Sequence, residues 1–224
     1  LPLYLREHSF GDFSRDWNWP AAWEQNGRAY YPKLVSGVPY TPSPGPRLLV
    51  AHDAPAGVKP ALVEAALALV REFCASSWQC LFVRETESQP LQDAGLLLRR
   101  GVQFHWLNRG YRDFADFLDG FAAQKRKKVK RERRAVAGGG AGARLGGPPH
   151  RHYRDTFLRH GNHPAFPLDF FVRAGAALGR RMVVFIAWQV ERPVASAICY
   201  RDDDALYGRH WGADIDCPGL HFEL

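Results

Sequence analysis

The chain has 224 residues, 46% hydrophobic and 13% aromatic, a composition that supports a globular core and excludes a disordered polar chain. A formal charge of +7 at pH 7, gathered mostly into one stretch, favours an anionic partner. No window of 18 consecutive residues is apolar throughout, and LPLYLREHSF lacks a charged leader followed by an apolar run, so the expectation is a soluble, cytoplasmic protein without a transmembrane segment.

In chain order, Leu1 to Leu5 alternates around Tyr4 like a strand, and the patch from Asp16 to Pro20 leads into a short helix through Trp23. Tyr30 to Leu34 precedes a stretch crowded with Pro39, Pro42, Pro44 and Pro46, where a long ordered loop is expected. Arg47 to Ala51 reads as a strand. Pro60 stands where a first helical residue belongs, ahead of Leu62, Val63, Ala66, Leu67, Val70 and Phe73 at helical spacing. Trp78 to Val83 is another strand, Pro90 to Arg99 a short helix, and Val102 to Leu107 a strand.

The stretch from Phe104 to Val136 organises the chain. Asn108 to Gly110 is a turn, and Asp113 with Asp116 resembles a capping box. One long helix is expected to follow, because Phe114, Phe117, Leu118 and Phe121 fall at i, i+3, i+4 and i+7, and Val129 and Val136 continue the stripe. Arg126, Lys127, Lys130, Arg131, Arg133 and Arg134 fan over the opposite face. Lys125, Lys128 and Glu132 project onto the apolar side, where Glu132 needs Lys128 or Lys125 as a partner. A structural ion pair and a polar site lined by these groups both remain open.

Residues 137–149, with GGGAGARLGGPP, read as a flexible loop rather than a phosphate cradle, since neither GxxxxGKS/T nor GxGxxG is present. His150 to Arg159 and Pro167 to Leu178 look helical. Met182 to Val190, Val194 to Arg201 and Ala205 to Trp211 form an antiparallel meander with short turns, and Leu220 opens a further helix. The chain starts at Leu1 without Met and stops at Leu224 as that helix opens, as a fragment would.

Metal and covalent chemistry are not indicated. Cys74, Cys80, Cys199 and Cys217 form no CxxC pair and are expected as reduced, packed thiols. His150, His152, His160 and His163 lack accompanying carboxylates and read as surface histidines. His221-Phe222-Glu223 has the HxE spacing of zinc deaminases without the PCxxC that should follow. Proton transfer by His221 and Glu223 stays open beside a purely helix-capping role. No GxSxG elbow marks a covalent nucleophile.

The runs LPLYLREHSFGDF, YYPKL, VPYTPSPGPRLL, FHWLNRGYRDFADFL, QKRKKVKRERR, ALYGRHWG and LHFEL together resemble the FemAB-like proteins of bacteria, over nearly the whole chain. The resemblance implies an α/β (α+β) architecture of tandem GNAT-type acyltransferase folds, each a mixed, mainly antiparallel sheet flanked by helices. On that reading residues 1–108 are the later half of one unit and 109–224 the first part of the next, truncated at its C-terminus.

It also implies an N-acyl or aminoacyl transfer to an acceptor amine, with a peptidoglycan precursor as one candidate acceptor. The donor is acyl-CoA or aminoacyl-tRNA, bringing tRNA in as a partner on the second route, and no cofactor is permanently bound. Both donors carry phosphates, for which Arg126, Lys127, Lys130, Arg131, Arg133 and Arg134 are the expected contacts. Arg209, Tyr207, Trp211, Glu132, Lys125 and Lys128 are expected at the substrate, and His221 and Glu223 at the proton. The rival reading is a non-catalytic GNAT-type module that binds RNA or an anionic cell-wall precursor. The RxxGxG/A signature of ordinary acetyltransferases is absent, which counts against acetyl-CoA.

Overall fold

The computed structural model describes residues 1–138, 141–145 and 150–223, with the side chains of 141–145, 222 and 223 outside that description. The described chain is mixed α/β, with two small sheets and two compact units, Leu1–Phe104 and His105–Leu224.

In the first unit β1 (Tyr4–Arg6), α1 (Trp19–Gln25), β2 (Lys33–Ser36), α2 (Val58–Glu72), β3 (Trp78–Cys80) and α3 (Glu85–Asp93) follow in order. Strand β2 is central, antiparallel to β1 through Tyr4↔Val35 and parallel to β3 through Leu34↔Trp78. The parallel pair needs a crossover, and α2 supplies it. Its Val63 and Ala66 join Leu34, Leu48, Trp78 and Leu91 in one core. All four β2 residues are buried, so the pleat sends Leu34 into the hydrophobic core and Lys33 and Val35 to the opposite face.

Two expectations fail here. Arg47 to Ala51 is not a strand, since the neighbouring backbone forms only an isolated bridge between Gly45 and Val83. The segment is held by side chains instead: Glu87 accepts from the backbone N–H groups of Arg47 and Leu48 at 2.8 and 2.9 Å, and buried Arg47 donates to the carbonyls of Leu81, Pro46 and Ser43. Residues 102–107 form no strand either. Phe104, Trp106 and Leu107 are exposed coil without a ladder partner, which a β-rich composition does not reveal.

The second unit contains α4 (Phe114–Asp119), α5 (Ala123–Gly138), β4 (Ala141–Leu145), α6 (His150–Arg159), α7 (Leu168–Leu178), β5 (Met182–Gln189), β6 (Arg192–Arg201), β7 (Leu206–Ala213) and α8 (Leu220–Glu223). The expected single helix is two. Asp113 caps α4 by accepting from Asp116 N–H at 2.8 Å. Gly120 ends it, and the Arg126 guanidinium reaches back to Asp119 Oδ1 and the Phe121 carbonyl, both at 3.0 Å, to close the break. The expected meander is present as β5-β6-β7. It gains a fourth strand, β4, from the Gly-rich stretch read as loop, because Ala141 to Leu145 pairs antiparallel with β5; residues 139, 140 and 146–149 of that stretch lie outside the described residues. Both faces of this sheet are covered. Val136 of α5 and Leu220 of α8 pack with Ala187, Ala195 and Ala213 on one face, and Tyr153 of α6 and Phe171 of α7 pack with Ile198 on the other.

Candidate functional site

The β2 strand places a lysine where no water reaches it. Lys33, fully buried, spends all three ammonium protons inside the first unit, on Ser9 Oγ at 2.7 Å, Asp16 Oδ2 at 2.8 Å and Gln79 Oε1 at 3.1 Å. Asp12 adds a second carboxylate, with Oδ2 3.2 Å from Lys33 and Oδ1 3.3 Å from Arg6. The quartet Arg6, Lys33, Asp12 and Asp16 is neutral in sum, which is the condition for keeping such groups out of water. Asp16 also accepts from the Tyr30 hydroxyl at 2.5 Å and Ser14 at 2.7 Å. Burial alone would raise the Asp16 carboxyl, but the hydrogen bonds from Lys33, Tyr30 and Ser14 outweigh it and hold the group well below the usual carboxylate range. Burial, joined by the adjoining Asp16 carboxylate, pushes the Tyr30 phenol up.

Ser9 is not an activated nucleophile. Its hydroxyl donates to Asp16 at 3.0 Å while accepting from Lys33, and Asp16, held ionised by its hydrogen bonds from Lys33, Tyr30 and Ser14, is too weak a base to take the serine proton. The arrangement suits binding and positioning. Beside it opens a small cleft of about 20 Å³, lined by Tyr4, Arg6, Gly11, Asp12, Val35 and Tyr40 among others. Sequence reasoning singled out none of these residues as a site. The signal was nonetheless present, because Arg6, Ser9 and Asp12 sit in LPLYLREHSFGDF, Tyr31 and Lys33 in YYPKL, and Tyr40 in VPYTPSPGPRLL.

In the second unit the expected site residues divide. Strand β7 carries a bulge: Cys199 pairs with Gly208 and Ile198 with His210, so that Arg209 is the extra residue in the register. Arg209 and His210 thereby share the α6/α7 face, where Arg209 lies in the field of Tyr153 and Tyr200, while Trp211 turns to the α5/α8 face and packs against the Val136 cluster. Burial lowers the Arg209 guanidinium pKa, partly offset by the two tyrosines. Tyr207 is exposed and donates to Asp202 at 3.0 Å in the hairpin turn. On the α5/α8 face Trp211 meets His221 edge-on at 4.9 Å, and the backbone at Gly219 approaches the Glu132 side chain. The fold thus brings Trp211 and His221 together, sets Glu132 against the backbone two residues before His221, and leaves Arg209 and Tyr207 elsewhere. The Glu223 side chain lies outside the described residues.

The basic helix also differs from its expected faces. Lys125 and Lys128 are exposed rather than inward; Lys125 stands 5.1 Å over the Phe121 ring, and Lys128 pairs with half-exposed Glu132 at 3.8 Å. Long lysine stems lift their charge to water wherever the surface allows it. Lys127, Lys130, Arg131 and Arg134 are exposed as expected. Arg126 instead braces the α4–α5 break, and Arg133 lies 4.1 Å over the Phe114 ring.

Two buried histidines escaped sequence reasoning. His152, expected at the surface, is buried between Ser196 Oγ at 3.0 Å and Asp214 Oδ1 at 3.6 Å, because α6 lies directly on the sheet. Burial lowers its pKa against the pull of Asp214. His210 packs edge-on to Tyr153 at 4.8 Å, and burial, helped by the Arg209 charge, lowers it to about 3. Among the described residues no helix is long and apolar enough to cross a membrane, and no three His, Cys, Asp or Glu are grouped to hold a metal ion.

No curated protein matches the chain. The FemAB-like family model, described as peptidoglycan biosynthesis/recognition, matches residues 1–224. The match spans every run that carries the resemblance, and the chain belongs to the FemAB-like family of peptidoglycan biosynthesis/recognition proteins.

Proposed function

We propose that the protein is an N-acyl or aminoacyl transferase that passes the group from a phosphate-bearing donor, acyl-CoA or aminoacyl-tRNA, to the amine of a peptidoglycan precursor, on a tandem GNAT-type scaffold. The observation that carries the donor side is the exposed cationic surface of α5. Lys127, Lys130, Arg131 and Arg134 face water on a helix whose one carboxylate, Glu132, is already engaged by Lys128. Such a surface neutralises phosphate oxygens without sequence-specific geometry.

Transfer is direct in this reading. The amine lone pair attacks the donor carbonyl, the thiolate or ribose oxygen leaves, and the amine proton passes to a base and on to the leaving group. His221, exposed beside Trp211, and Glu223 on the same short helix are the proposed proton handlers. Substrate positioning supplies much of the rate, as is usual where no covalent enzyme intermediate forms.

The test titrates aminoacyl-tRNA and acyl-CoA against the protein at two salt concentrations, beside a variant neutralised at Lys127, Lys130, Arg131 and Arg134. Saturable, salt-sensitive binding of one donor, lost in the variant, supports the donor assignment; binding of neither sinks it. Transfer to a precursor amine is then followed in His221→Ala and Glu223→Gln. Donor binding without any turnover in the parent protein returns the reading to a non-catalytic binding module.

A further inference from the structure

We infer that the second unit docks peripherally on an anionic lipid bilayer, through the segment ahead of α4 and the cations of α5 beside it. Among the described residues no helix is long and apolar enough to cross a membrane, so the contact lies in the plane of the interface.

The apolar part is one ordered patch. Trp106 and Leu107 are 63% and 70% exposed, and Phe114 at the start of α4 is 43% exposed, a grouping that marks a contact surface. The segment that carries them is held in place: Asn108 Oδ1 accepts from the N–H groups of Gly110 and Tyr111 at 3.0 and 3.3 Å, and Trp106 meets Phe117 of α4 edge-on at 6.0 Å.

Cations border the patch. Arg133 lies 4.1 Å over the Phe114 ring, which sets the start of α4 beside α5, and Lys125 stands 5.1 Å over the Phe121 ring. Arg109, Lys127, Lys130 and Arg131 are exposed as well. Trp and Leu at the acyl boundary, with Lys and Arg at the level of the headgroups, is the composition that an anionic bilayer surface binds.

Ring geometry and charge favour this occupant over two others. Tyr111 meets Phe117 at 80° and Phe117 meets Phe121 at 71°, while the chain's own cations cover one face each of Phe114 and Phe121. Nucleobases stack on open ring faces, and Leu107 has none to offer. A second copy would bring the same cations against themselves.

The docking goes beyond the transfer proposed above and needs no donor. The protein is sedimented with vesicles of phosphatidylcholine alone and of phosphatidylcholine and phosphatidylglycerol in equal parts. The expected result is partition onto the mixed vesicles, at least about tenfold weaker on phosphatidylcholine alone. Trp106→Ser with Leu107→Ser should lose about tenfold or more on the mixed vesicles, and Arg109→Gln about fivefold. Leu107→Ser alone, with a loss of about threefold or more, stands in if the double variant fails a circular dichroism check. No partition, equal partition onto both vesicles, or full binding in the serine variants would overturn the docking. So would unbound vesicles together with self-association, or binding of a single-stranded RNA oligonucleotide, that the serine variants lose. Trp106 and Leu107 lie outside the proposed donor contacts, so the serine variants keep donor binding in solution. A chain that binds vesicles but no donor fails the donor reading alone, and one that binds donor but no vesicles fails this one alone.

Discussion

Lys33 Nζ lies 2.8 Å from Asp16 Oδ2, with the two side chains 0% and 1% exposed. Strand β2 and the segment leading into α1 are joined through this contact, and removing one partner strands the other charge without water. Lys33→Met is expected to destabilise the first unit by about 3–5 kcal/mol, and Lys33→Met with Asp16→Leu to recover a substantial part of that. Urea unfolding of the three proteins decides it; a single substitution costing less than about 1 kcal/mol would show that the pair does not hold the fold.

Acid should weaken the units at different pH. His210 has a folded pKa near 3 against an ordinary 6.5, so the unfolded chain takes up the proton first. Its contribution is complete above about pH 6.5 and is lost as pH falls toward 3, at up to roughly 1.4 kcal/mol per pH unit. His152, depressed in the same direction, adds to the slope. The Asp16 carboxyl is also held down, so its contribution is whole above about pH 4 and fades only below that. Urea midpoints between neutral pH and pH 5 should fall for the second unit and flatten in His210→Phe; an unchanged slope in that variant would contradict the assignment.

Gly212 sits where α6 crosses β7. A Cβ there would lie 2.6 Å from Thr156 Oγ1 and overlap the His152 carbonyl, so Gly212→Ala must push the helix off the sheet. The expected loss is about 1–3 kcal/mol or more, with near-ultraviolet dichroism changing as the His152–Ser196 contact opens. A wild-type melting temperature would refute the close approach.

Glu87 acts as a substitute strand partner for Arg47 and Leu48. Glu87→Ala leaves two backbone N–H groups and the Arg47 side of the Pro-rich loop without an acceptor, at an expected cost of about 2–4 kcal/mol. Faster amide exchange confined at first to residues 45–50 is the signature; uniform exchange across the unit would argue for global destabilisation instead.

Neutralising Lys127, Lys130, Arg131 and Arg134 should do more than weaken donor binding. If the donor is a tRNA, the slope of log K against log salt falls by about 0.7–0.9 for each phosphate contact removed. An unchanged slope with weaker binding would mean the helix supports the site without touching phosphate.

Much of the element order was legible. Helix α2 and the β5-β6-β7 meander follow from periods of 3.6 and 2 in the side chains and from short turns. The Arg47 segment misled because its composition suits a strand, whereas its backbone partners are side chains of another element. Lys33 was invisible as a site residue because a single lysine in a proline-flanked run reads as exposed, and only the pairing of β2 on both edges buries it.

By itself, the sequence determined the family, the α/β class and the charge of α5, since these depend on residue types and local spacing. Only the tertiary structure decided which of those residues meet. The Arg209 bulge parts Arg209 from Trp211 across the second sheet, and the β1-β2-β3 pairing draws Arg6, Asp12, Asp16 and Lys33 into one neutral cluster. Strand register and burial are set by partners distant in the chain, and the energy of a charge depends on the dielectric those partners create around it.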